Sequence, residues 1–245
     1  MTKDAIRHKV WSRLTTAGVA RFPGAYGRVP NFSGADRAAK LLTQLTIWKR
    51  AKAVKFDLSA PQLALRRAAL ADGKVIYIPV PGLHAERCFL EVDPARLGAN
   101  AWRAACLRGA LKYGKPLAPH ELRGIDLVLV GSVAVSRQGA RVGRGSGAID
   151  LEYALLRRAG KVREYTPIVT TVHALQVIDD RIAMRAHDIP VDFVITPDQV
   201  VAAPSLYPRP RGILWDLLPD ERIRAIPALR KGRREGRGTL TPGQL

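Results

Sequence analysis

From residue 52 onward, short runs of β-branched and apolar residues alternate with stretches of helical spacing, and this alternation restricts the fold more than any other feature of the chain. Ala53–Asp57, Lys74–Val80, Cys88–Val92, Ile125–Val130, Ile168–Val172, Phe193–Thr196 and Val200–Ala203 read as strands, the second stopped by Pro81. Between them, Pro61–Ala71, Gly98–Tyr113 and Ile149–Arg158 carry helical spacing. Ile125–Val130 is apolar almost without interruption, as in a strand covered on both faces. The pattern predicts an α/β fold of three layers, α/β/α, around a mostly parallel, Rossmann-like sheet.

The first fifty residues read as helical and connecting. Thr2 can cap a helix through Ile6, Val10, Trp11 and Leu14, an irregular segment follows over Phe22–Gly34, and a second helix is expected over Ala35–Arg50. With no internal repeat and no long linker, one domain over residues 1–207 is expected, with a basic extension over 208–245. At 245 residues the chain can build a core without disulfide or metal staples. Its two cysteines, Cys88 and Cys106, lack metal-site spacing and read as buried free thiols, with a bridge between them the other reading. The four tryptophans, at 11, 48, 102 and 215, read as core packing.

The longest apolar stretches, such as Leu127–Val135, fall far short of the roughly 20 residues that cross a bilayer. The opening MTKDAIRHKVW lacks the apolar segment of a signal peptide, so a cytoplasmic protein with no membrane partner is expected. The formal charge of +19 favours anionic partners. Much of it lies in Arg209, Arg211, Arg222, Arg224, Arg230, Lys231, Arg233, Arg234 and Arg237. A solvated, partly disordered terminus is one reading of that cluster, and an RNA-binding tail is the other. No aromatic platform lies among those arginines, Trp215 reading as core packing, which argues against sequence-specific RNA recognition.

The chemistry concentrates in Arg141-Val-Gly143-Arg144-Gly145-Ser146-Gly147-Ala-Ile-Asp150. Three alternating glycines stand directly before a helix. Glycine permits positive φ and close backbone approach to an anion. Successive amides in such a loop form an anion nest, and the helix adds its positive end. Arg141 and Arg144 bring full charges, and Asp150 can hold a magnesium ion on phosphate oxygens. The spacing fits neither the dinucleotide fingerprint nor the P-loop, and a purely structural Gly-rich turn is the competing reading. His187 and Asp188 read as a turn or an acid–base pair, and His173 as a structural residue at a strand end.

At this loop the chain resembles the 5-formyltetrahydrofolate cyclo-ligase (methenyltetrahydrofolate synthetase) family. That family ends on an Arg-hydrophobic-Gly-x-Gly-x-Gly-x-x-Asp loop behind a buried strand, here Ile125-Asp-Leu-Val-Leu-Val-Gly131. Its opening Lys-x-x-x-Arg, which contacts nucleotide phosphates, is similar to Lys3 and Arg7. Its strand ending near a glutamine looks like Val169–Gln176, and its late His-Asp-x-x-x-Asp and Thr-Pro look like His187, Asp188, Asp192, Thr196 and Pro197. The resemblance covers roughly residues 2–203. It is closest to the divergent methenyltetrahydrofolate synthetase domain-containing branch, through Val130–Ser136, Asp150–Ala154 and Phe22-Pro with Arg28–Phe32.

The resemblance implies an ATP- and Mg2+-dependent ring closure: the formyl oxygen of 5-formyltetrahydrofolate attacks the γ-phosphoryl group, N10 attacks the formyl carbon, phosphate leaves and 5,10-methenyltetrahydrofolate forms. It implies Arg141 and Arg144 as catalytic cations, Lys3, Arg7, Gly143, Gly145, Ser146, Gly147 and Asp150 as the nucleotide site, and Asp150 as the metal ligand. Active members place a lysine where this chain has Ser146 and Tyr-Tyr-Asp where it has Ala148-Ile149-Asp150. Their substrate-binding glutamate falls near Asp57–Ala60, where Asp57 is the only acidic residue. The phosphate half of the site thus reads as retained and the folate half as altered. Three readings stay open: a cyclo-ligase acting on a reduced folate or related pterin, a nucleotide-binding protein without ring closure, and an RNA-associated protein.

Overall fold

The computed structural model describes residues 1–203 and 206–238, the side chains of 235–238 excepted. Helix α1 (Lys3–Thr16) is capped by the Thr2 hydroxyl, which accepts the Ala5 amide, and buries Ile6, Val10, Trp11 and Leu14. The helix expected over 35–50 is two, α2 (Ala35–Gln44) and α3 (Thr46–Arg50), broken where Leu45 is extended. The break has a packing reason. Leu42 and Trp48 enter the same core cluster, yet on one continuous helix six residues would set them roughly 120° apart.

Strand β1 (Ala53–Lys55), helix α4 (Leu63–Ala71) and strand β2 (Val75–Pro79) follow, with β1 and β2 parallel. Strand β3 (Phe89–Val92) returns antiparallel and leads into α5 (Pro94–Leu97). The helix expected over 98–113 is a 3-10 segment, Gly98–Ala105, then α6 (Leu107–Tyr113), with Cys106 extended between them. Gly109 permits the fold-back, because a Cβ there would meet the Arg103 carbonyl oxygen at 1.8 Å. Two features have no strong sequence signal: the edge strand β4 (Lys115–Leu117), and the hairpin β6 (Ala134–Val135) and β7 (Arg141–Val142) that follows β5 (Leu127–Leu129). Helix α7 (Ala148–Arg158), β8 (Ile168–Thr171), β9 (Phe193–Ile195) and β10 (Val200–Ala202) complete the domain.

Among the described residues the sheet runs β10-β9-β8-β5-β1-β2-β3-β4. Strands β9, β8, β5, β1 and β2 are parallel, and antiparallel strands close both edges. Both faces are covered, as expected. Val54, Phe56, Ile76, Leu127, Leu129 and Val169 meet α2, α4 and α6. Ala53, Tyr77, Val128, Val130, Ile168 and Val194 meet Leu151, Tyr153, Leu155 and Leu156 of α7. A third cluster packs α1 onto Val133, Ala134, Ala140 and Val142 of the hairpin region.

The basic extension departs from the disordered terminus of the first reading. Residues 206–234 fold back over α7, through the 3-10 turn Trp215–Leu217, α8 (Asp220–Ala225) and α9 (Pro227–Gly238). Ile223, Ile226 and Leu229 are buried in the α7 cluster, and the Arg158 guanidinium lies over the Trp215 ring. Arg209 grips the Asp192 carboxylate with Nη2 at 2.5 Å from both oxygens. The burial of Ile223, Ile226 and Leu229 outweighs the solvation of the arginines around them. The side chain of Arg237 and residues 239–245 lie outside the described part.

Cys88 and Cys106 are free; Cys88 is buried, its thiol pushed up to about 12 by loss of solvent, whereas Cys106 is exposed, contrary to expectation. Trp11 and Trp48 are core residues, but Trp102 is exposed beside Arg103. Among the described residues no helix is long and apolar enough to cross a membrane.

Candidate active site

The chain leaves β1 through α4 on one face of the sheet and leaves β5 toward α7 on the other. Opposite departures from adjacent parallel strands open a crevice beyond their carboxyl ends, the place where open α/β sheets bind ligands. Asp57, after β1, spans this crevice: Oδ2 accepts the Gly131 amide after β5, and Oδ1 accepts the Ser59 amide and hydroxyl. Both carboxylate oxygens are therefore engaged in shaping the backbone. Gly131 itself has no room for a side chain, since a Cβ would stand 2.9 Å from Asp57 Oδ2.

The β6–β7 hairpin delivers Arg141 to the head of the Gly-rich loop. Arg141 is only 3% exposed. Its Nη2 donates to Asp150 Oδ1 at 2.6 Å, Nη1 to the Gly131 carbonyl at 3.0 Å and Nε to the Ile189 carbonyl at 3.3 Å. This guanidinium is a buried clamp that sets Asp150 and ties the hairpin to the crevice. Burial would raise the Asp150 carboxyl, but Arg141, the Ile189 amide and Lys3 together hold it below the usual carboxylate range. Among the described residues nothing donates to Asp150 Oδ2. Gly145 and Gly147 adopt positive φ, +108° and +62°, which explains their identity. Gly143 is favoured by proximity instead, a Cβ there standing 3.0 Å from Arg141 Nη1, which would have to give way.

Around this loop lies a cleft of about 260 Å³, lined by Lys3, Asp4, Arg7, Arg141, residues 143–150, Arg185, His187 and Asp188. Residues from the first and the middle parts of the chain thus converge. Arg7 Nε donates to the Gly143 carbonyl at 2.7 Å and its Nη1 pairs with Asp4. Lys3 pairs with Asp188, which also accepts the Arg185 amide. The His187–Asp188 segment, read as a turn or an acid–base pair, is both a turn and a cleft wall. Among the described residues the amides of Arg144, Gly145, Ser146 and Gly147 donate to no protein acceptor. No group of three or more His, Cys, Asp and Glu side chains is placed there to hold a metal.

His173 keeps the structural role expected. Its Nδ1 accepts the Leu175 amide at 3.2 Å, its ring meets Phe32 edge-on, and burial lowers its pKa. Gln176 locks the end of β8 to β5 by donating to the carbonyls of Ser132 and Val133.

A second cleft, about 480 Å³, adjoins the first and is walled by Pro23, Arg28, Val29, residues 57–60 and 79–82, Leu107, Arg144, Ala148, Ile149 and Glu152. Arg144, expected beside phosphates, lines both clefts. Its Nε reaches Ser146 Oγ at 3.2 Å and it is otherwise exposed. Glu152 was not singled out in the sequence. It is 6% exposed, and its Oε2 meets Nζ of the wholly buried Lys55 at 2.5 Å. Burial pushes the Glu152 carboxyl up against the pull of Lys55. A lysine in the middle of an apolar strand is the one signal that could have revealed this pair, since a charge inside a sheet needs a partner.

Replacing Asp150 with alanine strips Arg141 of its anion while leaving it two carbonyl acceptors. The expected cost is about 2–3 kcal/mol in a urea titration. A variant as stable as the parent would show that the clamp is energetically idle.

Fold and site together define a three-layer α/β protein whose clefts open at the carboxyl ends of its parallel strands. The sequence model of the 5-formyltetrahydrofolate cyclo-ligase family matches residues 2–197, and the chain belongs to that family. The methenyltetrahydrofolate synthase domain-containing protein of Danio rerio is 36% identical over 234 residues, 94% of this chain and 61% of the relative. The Homo sapiens protein of the same description is 35% identical over 235 residues, 94% and 61% of the two chains. The chain spans about three fifths of the length of these relatives. The solved structure of Aquifex aeolicus 5,10-methenyltetrahydrofolate synthetase, 21% identical, superposes with a TM-score of 0.52 over 83% of this chain and 93% of that one, a likeness of fold.

Proposed function

We propose that this chain carries out ATP- and Mg2+-dependent closure of a formylated reduced folate or a related pterin. The observation that carries the reading is the convergence of Lys3, Arg7, Arg144 and Arg185 with the unpaired amides of residues 144–147 on one cleft. An array of fixed amides and cations is what a triphosphate requires. The free oxygen of Asp150, anionic at neutral pH, fits a magnesium ion that would neutralise charge across phosphate oxygens.

In this reading Lys3, oriented by Asp188, and Arg7, held on the Gly143 carbonyl, grip the outer phosphates. Arg141 acts through Asp150, and Gly143, Gly145, Ser146 and Gly147 present their backbone to the triphosphate. Arg144 stands at the junction of the two clefts, where it can meet charge developing on the transferred phosphoryl group. The second cleft takes the pterin between Pro23, Val29 and Leu107, and Glu152 accepts from ring N–H groups, replacing the acid that the segment after β1 lacks. Ring closure would then depend on holding the formyl oxygen in line with the phosphoryl group, a matter of positioning.

Purified protein given Mg2+, ATP and 5-formyltetrahydrofolate is expected to raise the absorbance of the methenyl product. Nucleotide-dependent thermal stabilisation without that absorbance would leave a phosphate site and remove the ring closure. Gly145→Val is expected to weaken ATP binding by about tenfold or more, because a β-branched residue resists φ of +108° and its Cβ would press Arg7 Cζ at 3.3 Å. An unchanged titration would contradict the loop as the phosphate site.

A further inference from the structure

The folded extension reaches back to the Gly-rich loop. Arg222 of α8 donates from Nη2 to the Ser146 carbonyl at 2.9 Å, and its Nη1 lies 3.5 Å from where a Cβ of Gly147 would stand. In a planar trans peptide the C=O and N–H point in opposite directions. Drawing the Ser146 carbonyl toward Arg222 therefore aims the Gly147 amide away from α8. That amide is one of the four that donate to no described acceptor, and Ser146 and Gly147 both line the phosphate cleft.

The base from which Arg222 acts is packed against α7. Ile223, next to it on α8, and Ile226, just past the helix end, are buried in one cluster with Leu151 and Leu155 of α7, the helix that the loop begins. Arg158 of the same helix donates to the Gly232 carbonyl at 2.9 Å and stacks on Trp215. Loop, α7 and α8 thus share one packed unit. The family match ends at residue 197, so this contact comes from outside the matched region. The loop has Ser146, without charge, between its second and third glycines, and the guanidinium of Arg222 arrives at that residue from α8. Two positive-φ glycines flank it, the backbone most costly to order on binding.

We propose that Arg222 is a positioning residue of the phosphate loop: it fixes the Ser146–Gly147 peptide in its anion-receiving orientation and brings a positive charge to it, making the C-terminal extension part of the site. This rests on the reading of residues 143–147 as a phosphate site.

The test titrates the full chain with Mg-ATP and with inorganic tripolyphosphate, comparing the parent with Arg222→Ala, Arg222→Lys and Arg224→Ala. Arg224 is exposed on the same helix and controls for loss of one charge. Arg222→Ala is expected to weaken both ligands by about tenfold, the size of one charge-assisted hydrogen bond. Arg222→Lys should recover part of the loss, and Arg224→Ala should stay within about twofold of the parent. Without ligand, amide hydrogen exchange in α7 should keep its parental protection in Arg222→Ala, so that the lost affinity is local to the loop and not a loss of fold. Parental affinity in Arg222→Ala, or equal losses in Arg222→Ala and Arg224→Ala, would overturn the role of Arg222 and leave the phosphate site standing. A parent chain that binds neither ligand would remove the phosphate site itself, and this proposal with it.

Discussion

A chain ended after residue 207 is expected to lose cooperative folding. The missing segment buries Ile223, Ile226 and Leu229 against α7 and covers Leu151 and Leu155. Burial of each such side chain is worth about 1.5–3 kcal/mol, so three sum to roughly 5–9 kcal/mol. A domain's whole stability is about 5–15 kcal/mol. The loss of the Arg209 grip on Asp192 adds to this deficit. Urea denaturation followed by circular dichroism should show a broad transition at much lower urea, and an apolar dye should bind the exposed α7 face. A truncated chain with a sharp transition within about 1 kcal/mol of the parent would mean that the extension is an appendage, as its charge alone suggests.

Lys55→Met is expected to cost about 3–5 kcal/mol, because it strands the Glu152 carboxylate in a buried site. Pairing it with Glu152→Leu should return most of the stability, since replacing both partners by apolar groups removes the unpaired charge. The pH dependence has a definite sign. Burial raises the Glu152 carboxyl in the folded state, and removing Lys55 raises it further. Between the unfolded and folded values the native state holds a proton that the unfolded state has lost. Stability of the single variant therefore falls as pH rises through that window and is recovered toward acid. Stability of Lys55→Met that rises with pH, or a double variant weaker than the single one, would contradict the pairing.

The double variant would also lack the acid proposed to face the pterin. Its ATP affinity should survive while turnover of the formylated folate is lost, which separates the two clefts experimentally. Glu152 comes from the middle of α7 instead of the segment after β1. In the proposed reading, the cleft that would take the pterin therefore gains a carboxylate from a different element.

Much of the architecture was legible because its causes are local. Apolar runs at Ile125–Val130 and Ile168–Val172 read as covered strands, and Thr2 caps α1 through its own side chain. The helix breaks at Leu45 and Cys106 were not legible. No breaker residue marks them; they exist so that Leu42 with Trp48, and Gly109 with Arg103, can meet. The loop glycines were recognisable, and two of the three owe their identity to positive φ. Arg141 was legible as part of the loop and not as a buried clamp, because its partners at Gly131 and Ile189 lie ten and forty-eight residues away.

By itself, then, the sequence determined the layered α/β class, the family and the Gly-rich loop, all of which depend on side-chain spacing or backbone freedom within a few residues. Tertiary structure alone decided which charges line the clefts and which are spent inside the protein. It turned Arg141 and Asp57 inward, brought Lys55 to Glu152, and folded a +19 chain's basic end onto its own core. Desolvation and pairing set the role of a charge, and both depend on neighbours that are distant in sequence and meet only when the chain has folded.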